Sequence, residues 1–485
     1  MKLTHAVLGL TLGLYAEWGL SCNEDDLTST LRFVESTQRL YIEGGGCITL
    51  PEIFAVKETN PSFPIEAMDG SGEVVAEPTG IWYVTSDIYV QEGAKLEIHQ
   101  SEGCDELRLK SDKEKFINLR AYGGHISILD TKVTSWDGKD VDTDLGDGRS
   151  YISAVSEVIE DPTFTCADGS GDQAKSEMGE ARLDIINSDV GYLGYGASES
   201  YGITYKVRGL CDDDPTDLEN VYIFDSISVR GNIRFSNLHD NYFGMYSYGH
   251  QDGLWEYNLM HDNTEYGFDP HDDSDNLRIH NNIVWNNGNH GIIASKRCND
   301  VSIQNNIVFD NANAGIMLHR SSDYAIVRNN TVTDNGDACI AIFEAMNGDY
   351  SDNMCIGNLY GIRWSVGSSD NKVYDNTIID SKEVALYFYQ GSDPPYVEGS
   401  DGKPSRNLIY GNYINGAPEG IKIGDSNDNE FVGNTFENVD DLVFQASENT
   451  YWKDNIIVGT VSAESKHGAC FKSGSDIDQS GGTYC

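Results

Sequence analysis

Apolar and polar residues alternate with a period of two in short runs along most of the chain, as in Gly315-Ile-Met-Leu-His-Arg320, and Asn, Asp and Gly separate one run from the next. Such alternation predicts short β-strands with one buried face. From about residue 233 the runs form a repeat: Arg234-Phe-Ser-Asn237, Trp255-Glu-Tyr-Asn258, Ile279-His-Asn-Asn282, Ile303-Gln-Asn-Asn306, Val327-Arg-Asn-Asn330, then Asn353, Asn376, Asn412, Asn434 and Asn455. Asn258, Asn282, Asn306 and Asn330 are each 24 residues apart. With no leucine or 3.6-residue periodicity, this predicts an all-β right-handed parallel β-helix, a solenoid of about 24 residues per coil. The recurrent Asn should stack coil on coil, bonding along the ladder and satisfying the backbone of a bend.

Less regular coils are expected at Phe116-Ile-Asn-Leu-Arg120, His125-Ile-Ser-Ile-Leu129 and Ala181-Arg-Leu-Asp-Ile-Ile-Asn187, which places the catalytic solenoid over 75–460. Residues 22–74 show no repeat and are expected to cap the open end, with 461–485 as a tail. Residues 1–21 read as a secretory signal peptide: Lys2, an apolar run from Ala6 to Leu14, then Gly19 and Ser21 before Cys22. No stretch approaches the roughly 20 apolar residues of a membrane span, so a secreted protein of the extracellular matrix or cell wall is expected. Cys211-Asp-Asp-Asp-Pro215 and the segment Ser392 to Ser405 interrupt the repeat and read as loops flanking a groove.

Composition narrows the function. With 33 Lys+Arg against 78 Asp+Glu the net charge is −45, which argues against nucleic acid as a partner. The 10 cysteines include no CxxC pair and no Cys/His cluster at zinc spacing, so no metal is expected. A few disulfides are, with Cys470–Cys485 a candidate.

Aligning coils on their glycines puts Phe268, Ile292, Ile316, Ile340, Ile362 and Leu386 in one inward column. The next column must face outward and reads Tyr246, Asp269, Ile293, Met317, Ala341, Arg363, Tyr387. Two residues further lie Tyr248, His271, Ser295, His319, Phe343, Ser365, Tyr389, and neighbouring turns add His250, His290, Lys296, Arg297 and Arg320. Tyrosines to stack on pyranose rings and cations to clamp carboxylates suit an anionic polysaccharide. The overall charge opposes such a ligand, although salt screens charges beyond about 8 Å at 0.15 M.

Tyr266-Gly-Phe-Asp-Pro-His271-Asp272 resembles the signature of the mannuronan C5-epimerases, which convert β-D-mannuronate to α-L-guluronate within alginate. The resemblance extends over roughly residues 110–400, through Ile117-Asn-Leu-Arg-Ala-Tyr-Gly-Gly-His125, Lys132-Val-Thr-Ser-Trp-Asp137, Val190 to Gly202, Tyr246-Ser-Tyr248 and His290-Gly-Ile-Ile-Ala-Ser295. These segments look like the periplasmic bacterial enzyme, and the acidic composition looks most like the secreted brown-algal branch. The implied reaction takes H5 from one face of the ring and returns a proton to the other, after the carboxylate has been neutralised. His271, with an ordinary pKa near 6.5, is expected as base and Tyr266, near 10, as acid, the roles being exchangeable if cations lower the tyrosine. Asp269 would share a proton with the substrate carboxylate or orient His271. Arg297 is the first expectation for neutralising that carboxylate, then Lys296 and Arg320. His250, His290 and His319 are expected to bind in the groove, with Tyr246, Tyr248, Arg363 and Tyr387. The chain departs from the secreted bacterial enzymes at Ser295, where they carry aspartate, and at Ala312 or Asn313, where they carry arginine. No cofactor is required, calcium being kept as an activator through substrate or surface. A polyuronate lyase and a non-catalytic polysaccharide-binding solenoid are the rival readings.

Overall fold

The computed structural model describes residues 30–157, 179–208, 224, 227–459, 463–465, 469–475 and 483–484. Residues 1–21 and Cys485, and with them the signal peptide and the Cys470–Cys485 pairing, lie outside the described residues. Cys470 itself is disulfide-bonded.

Three stacks of parallel strands wind around one apolar core. Each regular coil contributes a strand to every stack, as in Phe268–His271 (first face), Arg278–His280 (second) and Ile283–Trp285 (third), before the chain returns to the first face at Ile292–Ser295. Every strand in these coils pairs with its equivalent one coil away, Phe268 with Ile292, Arg278 with Ser302 and Ile283 with Ile307. The expected inward column is fully buried: Phe268, Ile292, Ile316, Ile340, Ile362 and Leu386 are all at 0% exposure. Cys339 and Cys355 form a disulfide with their Cα atoms 5.6 Å apart.

Parallel pairing begins earlier than the repeat suggests. Arg39–Glu43 pairs with Asp87–Val90 and Cys47–Thr49 with Lys95–His99, so the segment 22–74 already supplies two strands of the first coil. Capping falls to the antiparallel strand Thr30–Val34 and the helix Leu50–Val56, which buries Leu50 and Ile53. The helix starts at a capping box: Glu52 N–H donates to the Thr49 hydroxyl, and the Glu52 carboxylate accepts from Thr49 N–H. At the other end, pairing of Asp441–Val443 with Ala463–Ser465 carries the ladder into 461–485.

Asparagine ladders hold the corners. Asn258, Asn282, Asn306, Asn330, Asn353, Asn376, Asn412, Asn434 and Asn455 form one, each amide oxygen taking the backbone N–H of the preceding member. Asn237 is not its first rung, because Ser236 occupies that position and its N–H donates to Asn258. A second ladder at the next corner runs Asn263, Asn287, Asn311, Asn335, Asn358. Its members lie 24 residues apart from Asn263 to Asn335 and 23 apart from Asn335 to Asn358. A residue with left-handed φ, such as Asn281 (58°) or Asn286 (53°), precedes each rung and turns the chain. Asn, Asp and Gly fill all of these positions but Tyr257, because they tolerate that conformation.

Asn306 shows what a rung contributes. Its Oδ1 accepts from Asn282 N (2.9 Å) and Nδ2 (3.0 Å), and its Nδ2 donates to Ile279 O (2.8 Å) and Asn330 Oδ1 (2.9 Å). Each buried group left unpaired costs about 1–3 kcal/mol. Asn306→Ala is therefore expected to lower the unfolding free energy by at least about 3 kcal/mol in denaturant titration. A loss below about 1 kcal/mol would show that the ladder fixes geometry without stabilising it.

Candidate active site

The first face carries the expected outer columns in the expected register. Tyr246 pairs with Asp269, Ile293 with Met317, Met317 with Ala341, Ala341 with Arg363 and Arg363 with Tyr387. Tyr248, His271, Ser295, His319 and Phe343 follow one another in the same way. Side chains from five adjacent strands therefore converge on one trough. Ile293, Met317 and Ala341 make its floor apolar, with Tyr266, Phe343 and Tyr360 packed against them. Tyr201 and Phe243, stacked at 4.5 Å, form a wall, and Phe243 meets Tyr266 edge-on at 5.1 Å. Nothing in the sequence pattern singled out that wall, since Tyr201 precedes its strand and Phe243 opens the strand Phe243–Tyr248, both outside the aligned columns.

His271 stands at the centre, 22% exposed at its side chain. Its Nδ1 is hydrogen-bonded to the buried Asp272 carboxylate. A carboxylate only accepts, so Nδ1 carries the proton and Nε2 keeps a lone pair, the tautomer a base needs. Arg297 Nη2 donates to the other Asp272 oxygen at 3.2 Å and, with Nε, to Asp273 at 2.7–3.1 Å. Arg297 is thus at the site but not open to a ligand: its guanidinium is spent on two carboxylates, and the expectation that it clamps substrate gives way to a positioning role. Asp272 sat inside the quoted heptad, and its place directly after the histidine was the signal that could have revealed it.

Asp269 is 3% exposed. Burial pushes its carboxyl up to about 7, opposed by His271 and Lys296 and reinforced by Asp272. Burial likewise raises Tyr266 to about 12, with Asp269 and Glu265 adding to it, so the phenol stays protonated. Tyr266 stacks on His290 at 5.8 Å. His290 Nδ1 accepts from Ala314 N at 3.0 Å, His319 Nδ1 bonds Ser295 Oγ at 2.8 Å, and burial lowers the two imidazoles to about 4 and about 3. Both are neutral groove residues.

The turn after these strands holds a column of charge. Because His271, Ser295, His319 and Phe343 are in register, Asp272, Lys296, Arg320 and Glu344 follow in four consecutive coils. Asp272 is bound by His271 and Arg297. Arg320 is bound by Glu344 and Asp393, donates to Pro394 O at 3.1 Å and lies 3.9 Å under Tyr396. It anchors the loop expected from Ser392 to Ser405 and is not available to a sugar. The fully buried Glu344 adds to the anchor by accepting from Tyr396 and Val397 N–H. Among the described residues, Lys296 alone in this column has no oppositely charged group in ion-pair contact.

Other expectations separate in the same way. His250 is fully buried between Tyr205 (4.6 Å) and Trp255 (5.2 Å), and burial takes it to about 3. Gly249, with φ 72°, turns the chain so that this histidine enters the core instead of the groove. Tyr246 lies beside His271 at 5.8 Å between rings, and Tyr248 lies under Lys206 Nζ at 4.8 Å. Arg363 pairs with Asp337 at 2.9 Å and Tyr387 stacks on Tyr389 at 4.7 Å. These two lie four and five strands beyond His271 on the same face, outside its immediate surroundings.

A family model described as "Right handed beta helix region" matches residues 216–330, and one described as "Periplasmic copper-binding protein (NosD)" matches 293–391 and 396–464. No group of three or more His, Cys, Asp or Glu among the described residues is placed to hold a metal. The mannuronan C5-epimerase of Pseudomonas aeruginosa is 28% identical over 261 residues, 53% of this chain and 39% of that protein. The mannuronan C5-epimerase AlgG of Azotobacter vinelandii is 29% identical over 45% of this chain and 36% of its own length. The chain thus spans about two fifths of the curated relatives it matches. The crystal structure of the periplasmic alginate epimerase AlgG superposes with a TM-score of 0.63 at 20% identity, covering 87% of this chain and 85% of that one. The A-module of the Azotobacter vinelandii mannuronan C-5 epimerase AlgE6 gives 0.51 at 14% identity, covering 80% and 91%. The resemblance read from the sequence is borne out by these relatives, and the solved structures share the parallel β-helix.

The Asp269 shift has a measurable consequence. Its folded pKa lies above the unfolded value near 3.9, so folding holds a proton that unfolding releases, and stability falls as pH rises from about 4 to about 7. Asp269→Asn removes that fall. Thermal and denaturant melts should show the variant more stable than the parent at pH 8 by a few kcal/mol and level with it near pH 4. Equal melts at both pH values would mean that the carboxylate is already ionised in the folded protein.

Proposed function

We propose that this chain epimerises β-D-mannuronate to α-L-guluronate at C5 within polymeric alginate. The observation that carries the reading is the arrangement around His271: an imidazole locked by Asp272 with Nε2 free, a protonated phenol at Tyr266, a carboxyl at Asp269 whose pKa lies near neutrality, and the unpaired cation Lys296. The names of the relatives over residues of the central coils support it.

In this reading Lys296 faces the substrate carboxylate, and Asp269, in its protonated form, donates a hydrogen bond to it. The two offset the second negative charge that develops on the carboxylate as H5 leaves. His271 Nε2 takes H5, and the resulting imidazolium is stabilised by Asp272, itself held by Arg297. Tyr266 returns a proton to C5 from the opposite face and is reprotonated from solvent, while the His271 imidazolium releases the H5 proton to solvent. The apolar floor of Ile293, Met317 and Ala341 excludes water beside the reacting carbon and strengthens each of these interactions. The glycosidic oxygen receives no proton in this scheme, which is what separates epimerisation from elimination. The N-terminal apolar segment and the acidic composition suit action outside the cytoplasm, on a secreted or wall polysaccharide in a saline medium.

Proton NMR of polymannuronate in deuterated water tests the reading. Guluronate signals with deuterium at C5 and no unsaturated chain ends are expected. Unsaturated ends would replace epimerase by lyase, and binding without turnover would make the chain a binding protein. His271→Ala should lower kcat about 10²–10⁴-fold. Lys296→Ala should lower it about 10²-fold, with Lys296→Arg recovering part of the loss, whereas an unchanged kcat in Lys296→Ala would remove that residue from the reaction.

A further inference from the structure

On the third face the chain leaves out its charge. The two outward positions of six consecutive strands, from Leu259 and His261 to Thr377 and Ile379, hold no Asp, Glu, Lys or Arg, although these residues make up 23% of the sequence. Three of the apolar ones stand open to solvent, Leu259 at 40%, Ile307 at 45% and Met354 at 43%. Thr331 lies between the last two as the strand partner of both. An exposed apolar strip continued over several coils marks a surface that something covers.

The same stretch carries a modification motif. Asn329-Asn330-Thr331 is the only Asn-X-Ser/Thr of the sequence in which X is not proline. Asn330 is a buried rung of the first ladder, but Asn329 is exposed and turns the chain with φ 55°. Its Nδ2 donates to Asn305 Oδ1 at 2.7 Å. A primary amide has two such protons, so the second can be substituted without breaking that bond. Asn281 and Asn305 turn the two preceding coils in the same conformation, but Ile283 and Ile307 stand there in the place of Thr331, so the motif is completed in this coil alone.

The location suits a bulky group. Asn329 joins the second-face strand Ile326–Arg328 to the third-face strand Thr331–Thr333, a corner that lies across the solenoid from the first face and its trough. A substituent there borders Ile307 and Met354 without approaching His271.

We propose that Asn329 is an N-glycosylation site and that its glycan covers the uncharged strip around Ile307 and Met354. In the modifying step Asn329 Nδ2 bonds to C1 of an oligosaccharide carried on a lipid pyrophosphate. The C1–O bond breaks, the pyrophosphate leaves with the bonding electrons, and Nδ2 gives up one proton. The lipid-linked donor and its transferase belong to a secretory pathway, to which the apolar segment after Lys2 is expected to direct the chain. The glycan supplies a hydrated surface where the strands supply none, and the inference stands apart from the polyuronate reading.

The test is secretion of the full chain from a eukaryotic host, followed by peptide mapping before and after digestion with peptide N-glycosidase. The peptide containing Asn329 should carry the mass of a hexosamine-based glycan and, once digested, aspartate in place of that asparagine. Thr331→Val, which keeps a branched side chain on the strand and leaves Asn329 untouched, should abolish the modification, and Thr331→Ser should retain it. An unmodified peptide overturns the site. The covering role is read on the parent by light scattering and hydrophobic-dye binding. Digested protein should self-associate at concentrations where the glycosylated form stays monodisperse and should bind several-fold more dye, and Ile307→Ser/Met354→Ser should reverse both effects. Scattering and dye binding that do not change on digestion would overturn the covering role.

Discussion

The structure depends first on the amide ladders at the corners. A parallel strand of three or four residues bonds only to the coils before and after it, and at each corner the chain must turn while its backbone groups stay paired. Stacked asparagines supply that pairing: one amide accepts from the backbone N–H of the rung before it and donates to a carbonyl of that same preceding coil. Coil spacing and register are then set by a chain of hydrogen bonds running from Asn258 to Asn455. The trough on the first face is a consequence. His271, Ser295 and His319 face the same way because each strand is held in register by the rungs on either side of it.

On that scaffold, the site is built by burying charge. Asp269 has no cation bonded to it and is pushed toward neutrality, while Asp272 and Asp273 are retained by Arg297. The same burial that makes a carboxylate costly at Asp269 keeps Tyr266 protonated and His290 and His319 neutral. Burial thus sets the charge state of each of these groups.

The cations divide into those that hold the protein and those left for a ligand. Arg297 fixes the histidine's carboxylate partner, Arg320 and Glu344 fasten the loop that returns from residues 393–397 across the neighbouring coils, and Arg363 is matched to Asp337. Lys296 at the centre has no such match among the described residues.

Much of this was legible beforehand. The 24-residue period, the period-two alternation and the glycine alignment were enough to derive the solenoid, the inward column and both outer columns, because strand registers in a repeat are local and additive. The heptad from Tyr266 to Asp272 located Tyr266, Asp269, His271 and Asp272 together, since they lie within one coil, whereas Lys296 comes from the next. What tertiary structure alone decided is which charged groups are consumed by other protein groups. Arg320 meets Asp393, 73 residues later, through a loop whose path no repeat encodes, and Glu344 meets Val397 across 53. His250 is turned into the core by the left-handed backbone at Gly249, although an alignment of columns leaves it on the groove side. The sequence by itself determined the ladder and the residues displayed on it. Pairing and burial, which depend on distances between residues far apart along the chain, determined which of those residues remain free to meet a substrate.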